Sequence, residues 1–399
     1  MTRIASIEAI PVAEPGERPD DEWVTTPSDV FLEPGSRRTS DLPRPQPGVV
    51  SNVIVRVRTD DGLEGLGTVG VGSPASKPVI DHHLAPLVIG SSPFDVELLW
   101  ERMFRATINI GRKGLVLEAI SAIDIALWDI IGKATGQPLY NVLGGRTRDR
   151  IRAYVSQSYA KSDLGAVHEE AASYRAQGFT ALKMRFGYGP TDGEAGKRKN
   201  YELVAAVREA LGPDVDLMAD AYMGWDLSYA IDMIRRLEDL NLCWVEEPLV
   251  PDDIDGYVRL RSRVSTPISA GEHEFTRWGY RELLTRGAVD IVQPDVNRMG
   301  GITEARKVWA LASAFNVPVI PHSHQSHNAH LIMAHLNSPL IEFFPTGVHR
   351  TGYTFFTELF DGEPEAVDGW VELGDEPGLG ITLDEDVLDE YALPDVAHA

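Results

Sequence analysis

The sequence predicts an α/β fold: a (β/α)8 barrel with an α+β cap built from the N-terminal part and the C-terminal tail. Three observations predict it. Eight short apolar runs begin at residues 151, 181, 216, 243, 267, 290, 317 and 340, so successive starts lie 23 to 35 residues apart. Amphipathic helical stretches such as SYAIDMIRRLEDLN and TEARKVWALASAFN lie between most of them, as a barrel of alternating strands and helices requires. An open doubly wound sheet would more often have fewer strands. Ahead of the barrel, a strand, a hairpin and three helical patterns follow a different rhythm, and 399 residues exceed what one small core needs.

The elements follow in order. IASIEAIPV (4–12) reads as a strand. Residues 15–48 hold seven prolines and no usable periodicity, a long loop of the kind that is functional or disordered. SNVIVRVRTDDGLEGLGTVG reads as a hairpin turning at Asp60-Asp61-Gly62. Helical patterns cover about 76–89, 94–107 and 115–135, the last ending at Gly136 before Pro138. The expected division is a capping domain over 1–135, the barrel over 136–361, and an acidic tail over 362–399 that returns to the cap. Gly65-Leu-Gly67-Thr-Val-Gly70 matches G-x-G-x-x-G. No helix opens after it, so close packing of the hairpin is expected rather than dinucleotide binding.

Composition excludes several classes. The 60 acidic residues outnumber the 37 basic ones, for a net charge of −23. That charge repels nucleic-acid phosphates and anionic membranes. No run approaches the ~20 apolar residues of a membrane span, and no signal peptide is visible. Cys243 is the only cysteine, which excludes intrachain disulfides and cysteine-based zinc sites and points to the cytoplasm. Its place before a strand suggests packing. Arg outnumbers Lys 29 to 8. With dispersed carboxylates, this suggests a halophile protein whose self-repulsion salt screens.

The chemistry gathers at the strand ends, where barrels carry their active sites. Lys183 and Arg185 end the second strand, Asp220 the third, Glu246 the fourth, Glu272 the fifth, Asp295 the sixth and His322 the seventh; Glu342 lies in the eighth. Asp220, Glu246 and Glu272 are each 26 residues apart. Three converging carboxylates repel unless a cation sits between them, and hard oxygen donors with open positions suit Mg2+. Ion pairs to Arg or Lys are the blander reading. Alternation points Glu247 away from Glu246. An Asp holding one imidazole nitrogen makes the other a better proton acceptor, so Asp295 and His322 form a candidate base pair. Lys183 and Arg185 share a strand face; they could hold a substrate carboxylate, supply a base, or merely neutralise the acids. A zinc site from His324, His327 and His330 has no established spacing behind it.

As a set, ADAYMGWD, WVEEPL, AGEHE, QPDVNRMGG, IPHS and NSPLIEF resemble the enolase superfamily, mandelate racemase branch. The resemblance covers nearly the whole chain. It implies that Asp220, Glu246 and Glu272 bind Mg2+, that Asp295 and His322 are the base dyad, and that Glu342 contacts substrate. KMRFGYGPTDGEAGKRKN, GEHE with His273, and PHSHQSHNAH look most like acid-sugar dehydratases of the L-rhamnonate dehydratase type. Two departures stand out. The second strand carries Lys183-x-Arg185 where racemases carry Lys-x-Lys and the rhamnonate group lacks the second cation. The early loop DDEWVTTPSD has no histidine, leaving Trp23, Arg37 and Arg38 to line the site with His273.

The expected function is Mg2+-dependent removal of water from a small sugar acid, an aldonate of L-rhamnonate type, by a cytoplasmic homo-oligomer. A racemase or epimerase of 2-hydroxy acids is the enzymatic alternative, but Arg185 is a poor base. A binding protein that lost turnover would have lost a ligand or base, and none is missing.

Overall fold

In the computed structural model, residues 2–15, 22–31, 49–70, 74–345 and 355–393 are described. The N-terminal strand Ile4–Pro15 pairs antiparallel with Val49–Thr59, which pairs in turn with Glu64–Thr68. The hairpin turns at Gly62, whose φ of +91° suits a residue without Cβ. Thr59 closes it by accepting the Leu63 N–H on Oγ1 at 2.9 Å.

The helix Leu115–Thr135 joins cap to barrel. It is apolar nearly all round because it is covered on both sides. On one side it meets Gly65 and Gly67 of the hairpin: a Cβ there would lie 2.1 Å from the Ala126 carbonyl oxygen and 2.0 Å from that of Ala122. The glycines of the G-x-G-x-x-G string thus let strand and helix backbones touch. On the other side Asp124 accepts the Thr303 N–H at 2.8 Å, and Trp128 Nε1 donates to Thr303 Oγ1 at 2.8 Å. The helix stops at Gly136 in the left-handed conformation, φ +64°.

The barrel strands are Ile151–Ser158, Ala181–Arg185, Asp216–Asp220, Val245–Glu246, Ile268–Ala270, Ile291–Val292 and Leu340–Phe343, the first six paired parallel in sequence. The last pairs back onto the first, Glu342 opposite Tyr154. The run 317–322, expected as the seventh strand, is reduced to one bridge between Val292 and Val319. Pro318 and Pro321 have no N–H to give a ladder.

Inside the barrel, Tyr154, Ala181, Met218, Trp244, Ile291, Ile320 and Leu340 form one apolar layer. Side chains two residues apart share a face, so the next layer is Ser156, Lys183, Asp220, Glu246, Gln293, His322 and Glu342. An apolar floor therefore carries a ring of polar and ionisable groups.

The tail contacts both units. Trp370–Val371 pair antiparallel with Ile151 and Arg152, and Leu393 N donates to the Pro11 carbonyl at 2.8 Å. Asp129 of the long helix ties tail to hairpin, accepting from Leu379 N at 2.8 Å and Leu66 N at 3.0 Å. Among the described residues, no helix is long and apolar enough to cross a membrane.

Candidate active site

The polar ring is brought together and buried. Lys183 Nζ sits between two carboxylates: it contacts Glu246 Oε1 and lies 2.9 Å from Glu342 Oε1. Burial by itself would discharge the amine, but Glu246 and Glu342 hold its pKa well above the usual lysine value. Glu246 Oε2 accepts from Trp244 Nε1 at 3.0 Å and Gln293 Nε2 at 2.7 Å. Burial raises its pKa to about 7, with Lys183 pulling the other way. Glu342 also accepts the Ser323 N–H at 2.6 Å, and its pKa is lowered because Lys183 and His322 outweigh its burial.

Asp220 ends its strand with Oδ2 at 3.4 Å from Arg185 NH1 and Oδ1 accepting the Tyr222 N–H at 2.8 Å. Arg185 stacks 5.0 Å over the Tyr159 ring. The two cations of the second strand thus each face a different carboxylate of the expected metal set.

His322 Nδ1 lies 2.8 Å from Asp295 Oδ2. Its Nε2 is 3.7 Å from Glu272 Oε2. Burial disfavours the imidazolium, yet Glu272, Glu342 and Asp295 outweigh it and raise the pKa to about 9. Asp295 is fixed in turn: its Oδ1 accepts the Asn297 N–H at 2.8 Å, and Arg298 Nε is 3.3 Å from its Oδ2. Asn297 Nδ2 reaches across to the cap and donates to Thr68 Oγ1 at 2.6 Å. Gln293, Asn297 and Arg298 were not singled out from sequence. The period-2 continuation of Ile291 would have placed Gln293 in the ring; the other two had no such signal.

Glu247 requires a correction. The strand ends at Glu246, and Glu247 has φ +38°, so strand alternation no longer governs it. Its buried carboxylate pairs with His273 Nδ1 at 2.8 Å. Among the described residues, the group whose ligand atoms lie within 4.8 Å of one another is Glu247, Glu272 and His273. The expected set differs from it, because Asp220 and Glu246 are engaged by Arg185 and Lys183. Glu272 belongs to both. The donor chemistry fits a hard divalent cation: Asp220, Glu246, Glu247, Glu272, Asp295 and Glu342 are all buried, and Lys183, Arg185 and Arg298 are the permanent cations paired with them.

The remaining candidates are placed as follows. His273 is at the site, its ring 5.8 Å from that of Tyr222. Trp23 lies against the loop after the second barrel strand, with Nε1 donating to the Gly187 carbonyl at 3.0 Å. That bond docks the early segment on the barrel. Arg37 and Arg38 lie outside the described residues. His324, His327 and His330 form no metal-type group among the described residues. Burial lowers their pKa values to about 4, 3 and 4. His324 packs on Phe343 and Phe344, while His330 Nδ1 accepts the Tyr140 N–H at 3.1 Å.

Comparison with known proteins agrees with this architecture. Residues 166–387 match the enolase C-terminal domain-like family, and residues 46–144 match the N-terminal domain of mandelate racemase/muconate lactonizing enzyme. L-rhamnonate dehydratase of Saccharopolyspora erythraea is 38% identical over 397 residues, 96% of this chain and 97% of that protein. Rhamnonate dehydratase from Gibberella zeae, solved as a complex with Mg, superposes with a TM-score of 0.86 at 32% identity, covering 98% of this chain and 96% of that one. The 3,6-anhydro-D-galactonate cycloisomerase from Zobellia galactanivorans gives a TM-score of 0.83 at 31% identity, covering 98% and 100%. The chain belongs to the mandelate racemase/muconate lactonizing enzyme family, with the enolase-like C-terminal domain as its barrel.

Proposed function

We propose that this protein is a Mg2+-dependent acid-sugar dehydratase acting on an aldonate of L-rhamnonate type. The observation that carries the reading is the unequal state of the ring's bases. His322 is anchored by Asp295 at 2.8 Å, whereas Lys183 is clamped between Glu246 and Glu342. A racemase needs a base on each face of the α-carbon. Here one side has the imidazole; the other has a doubly paired ammonium and a guanidinium that does not deprotonate. Elimination needs one base and a proton for the leaving hydroxyl. The relatives named as rhamnonate dehydratases support the substrate class.

Asp220, Glu246 and Glu272 would hold the ion. When bound, it supplies positive charge for the substrate carboxylate and for the charge that develops on proton loss. The chain's own groups do the rest. Asp295 holds Nδ1 of His322, so that in the neutral imidazole, the form that acts as base, Nε2 is the nitrogen that takes the α-proton. His322 returns a proton to the 3-hydroxyl as its C–O bond breaks. Water leaves, and the resulting enol tautomerises to the 2-keto-3-deoxy acid. Lys183 and Arg185 orient the acid's oxygens, and Glu342 keeps Lys183 charged.

The test is turnover of a panel of aldonic acids in D2O, followed by NMR at the α-carbon. Appearance of a 2-keto-3-deoxy acid is expected. Deuterium at an inverted α-carbon with no keto acid would replace this reading with the racemase.

A further inference from the structure

Glu118 lies in the first turn of the helix Leu115–Thr135, three residues before Ser121. Residues at i and i+3 are neighbours on a helix surface, and Ser121 Oγ accepts the Gly300 N–H at 2.8 Å. This contact sets the first turns of the helix beside the loop that carries Asp295 and Arg298. Burial raises the pKa of its carboxyl to about 7, and the charges of Arg298, Asp295 and His273 all act on it. Arg298, whose charge acts on Glu118, itself reaches the reacting centre, with Nε 3.3 Å from Asp295 Oδ2 and NH1 3.7 Å from Glu272 Oε1. The cap leaves room for the Arg298 side chain: a Cβ on Gly70 would lie 2.7 Å from Arg298 Cγ.

Glu118 Oε2 is buried and has no hydrogen-bond partner among the described residues. The helix dipole explains an acidic residue in a first turn. It does not explain an acceptor buried away from any donor, since buried polar atoms are otherwise almost always paired. A polyhydroxylated acid carries a hydroxyl donor on nearly every carbon beyond the reacting pair.

We propose that Glu118 is a specificity-determining residue of the barrel-mouth site, its Oε2 accepting a hydrogen bond from a distal hydroxyl of the sugar acid. The inference rests on the acid-sugar reading above. It assigns the capping helix a direct part in telling polyhydroxy acids from their deoxy analogues.

The experiment compares wild type, Glu118→Gln and Glu118→Ala on the best aldonate and on analogues lacking one distal hydroxyl each. Glu118→Ala should raise KM about tenfold or more, the loss of one charge-assisted hydrogen bond, with kcat within about threefold. Glu118→Gln should lose less, because an amide oxygen still accepts. One deoxy analogue should bind wild type poorly and be indifferent to Glu118→Ala. The melting temperature of Glu118→Ala should equal or exceed that of wild type, because no protein hydrogen bond is lost. An unchanged kcat/KM overturns the proposal, as does a fall in kcat at constant KM, or an equal loss on all substrates with a lowered melting temperature. If wild type turns over none of the panel, the dehydratase reading fails separately. Calorimetry of aldonate binding with Mg2+ then decides Glu118: about tenfold weaker binding by Glu118→Ala supports it, and equal binding overturns it.

Discussion

His322 Nδ1 and Asp295 Oδ2 lie 2.8 Å apart, both residues buried, with Asp295 braced by the Asn297 N–H and the Arg298 guanidinium. When neutral, the imidazole is thereby held in the tautomer protonated at Nδ1, with Nε2 toward the ring of carboxylates. His322→Asn should abolish turnover. Asp295→Asn should lower kcat by about 10^2- to 10^4-fold, the usual weight of positioned acid–base catalysis, without lowering the melting temperature much. Near-normal kcat in Asp295→Asn would remove the dyad from the mechanism.

Two adjacent glutamates are alternative candidates for a metal ligand. Glu246→Gln should weaken Mg2+ or Mn2+ binding about tenfold or more, whereas Glu247→Gln should act mainly through His273 and leave affinity within about threefold. Calorimetry and Mn2+ EPR of the purified variants measure this. The opposite order would identify Glu247, Glu272 and His273 as the ligands. Exhaustive chelation should abolish activity, and Mg2+ should restore it.

The burial of Asp124 predicts a pH-dependent cap–barrel contact. It is buried, with its folded pKa raised to about 7 by desolvation. A raised folded pKa means stability that is complete below the unfolded value and is lost as pH rises through the folded one. Wild type should therefore weaken between about pH 4 and pH 7 relative to Asp124→Asn, which keeps an acceptor for Thr303 N but no charge. The gap between the two should grow by roughly 2–4 kcal/mol over that window in denaturant titrations. A gap that is constant with pH would show that the carboxyl is ionised at no cost.

The charge of −23 predicts a salt response. Screening relieves like-charge repulsion, so the melting temperature should climb steeply from low salt to molar KCl. A flat profile would refute the halophile inference and leave an acidic protein of ordinary salt tolerance.

The barrel and most of its ring were legible in the sequence for a local reason. Alternation along a strand is a property of the backbone, so an apolar floor residue such as Met218 or Ile320 marks Asp220 or His322, two positions on, as facing inward. The repeat of strands and helices then brings those positions to one end. Partner choice across the barrel is a long-range matter that no local pattern encodes. Only the tertiary structure decided that Lys183 lies between Glu246 and Glu342, and that Glu247 turns at φ +38° to meet His273. It also decided that two prolines reduce the seventh strand to a single bridge at Val319, and that Gly65 and Gly67 serve a helix backbone. Glu118 shows the limit most plainly. Its sequence context marks only a helix start, and its chemical interest comes from the charges of Arg298 and His273, residues 180 and 155 positions away that the fold alone brings to act on it.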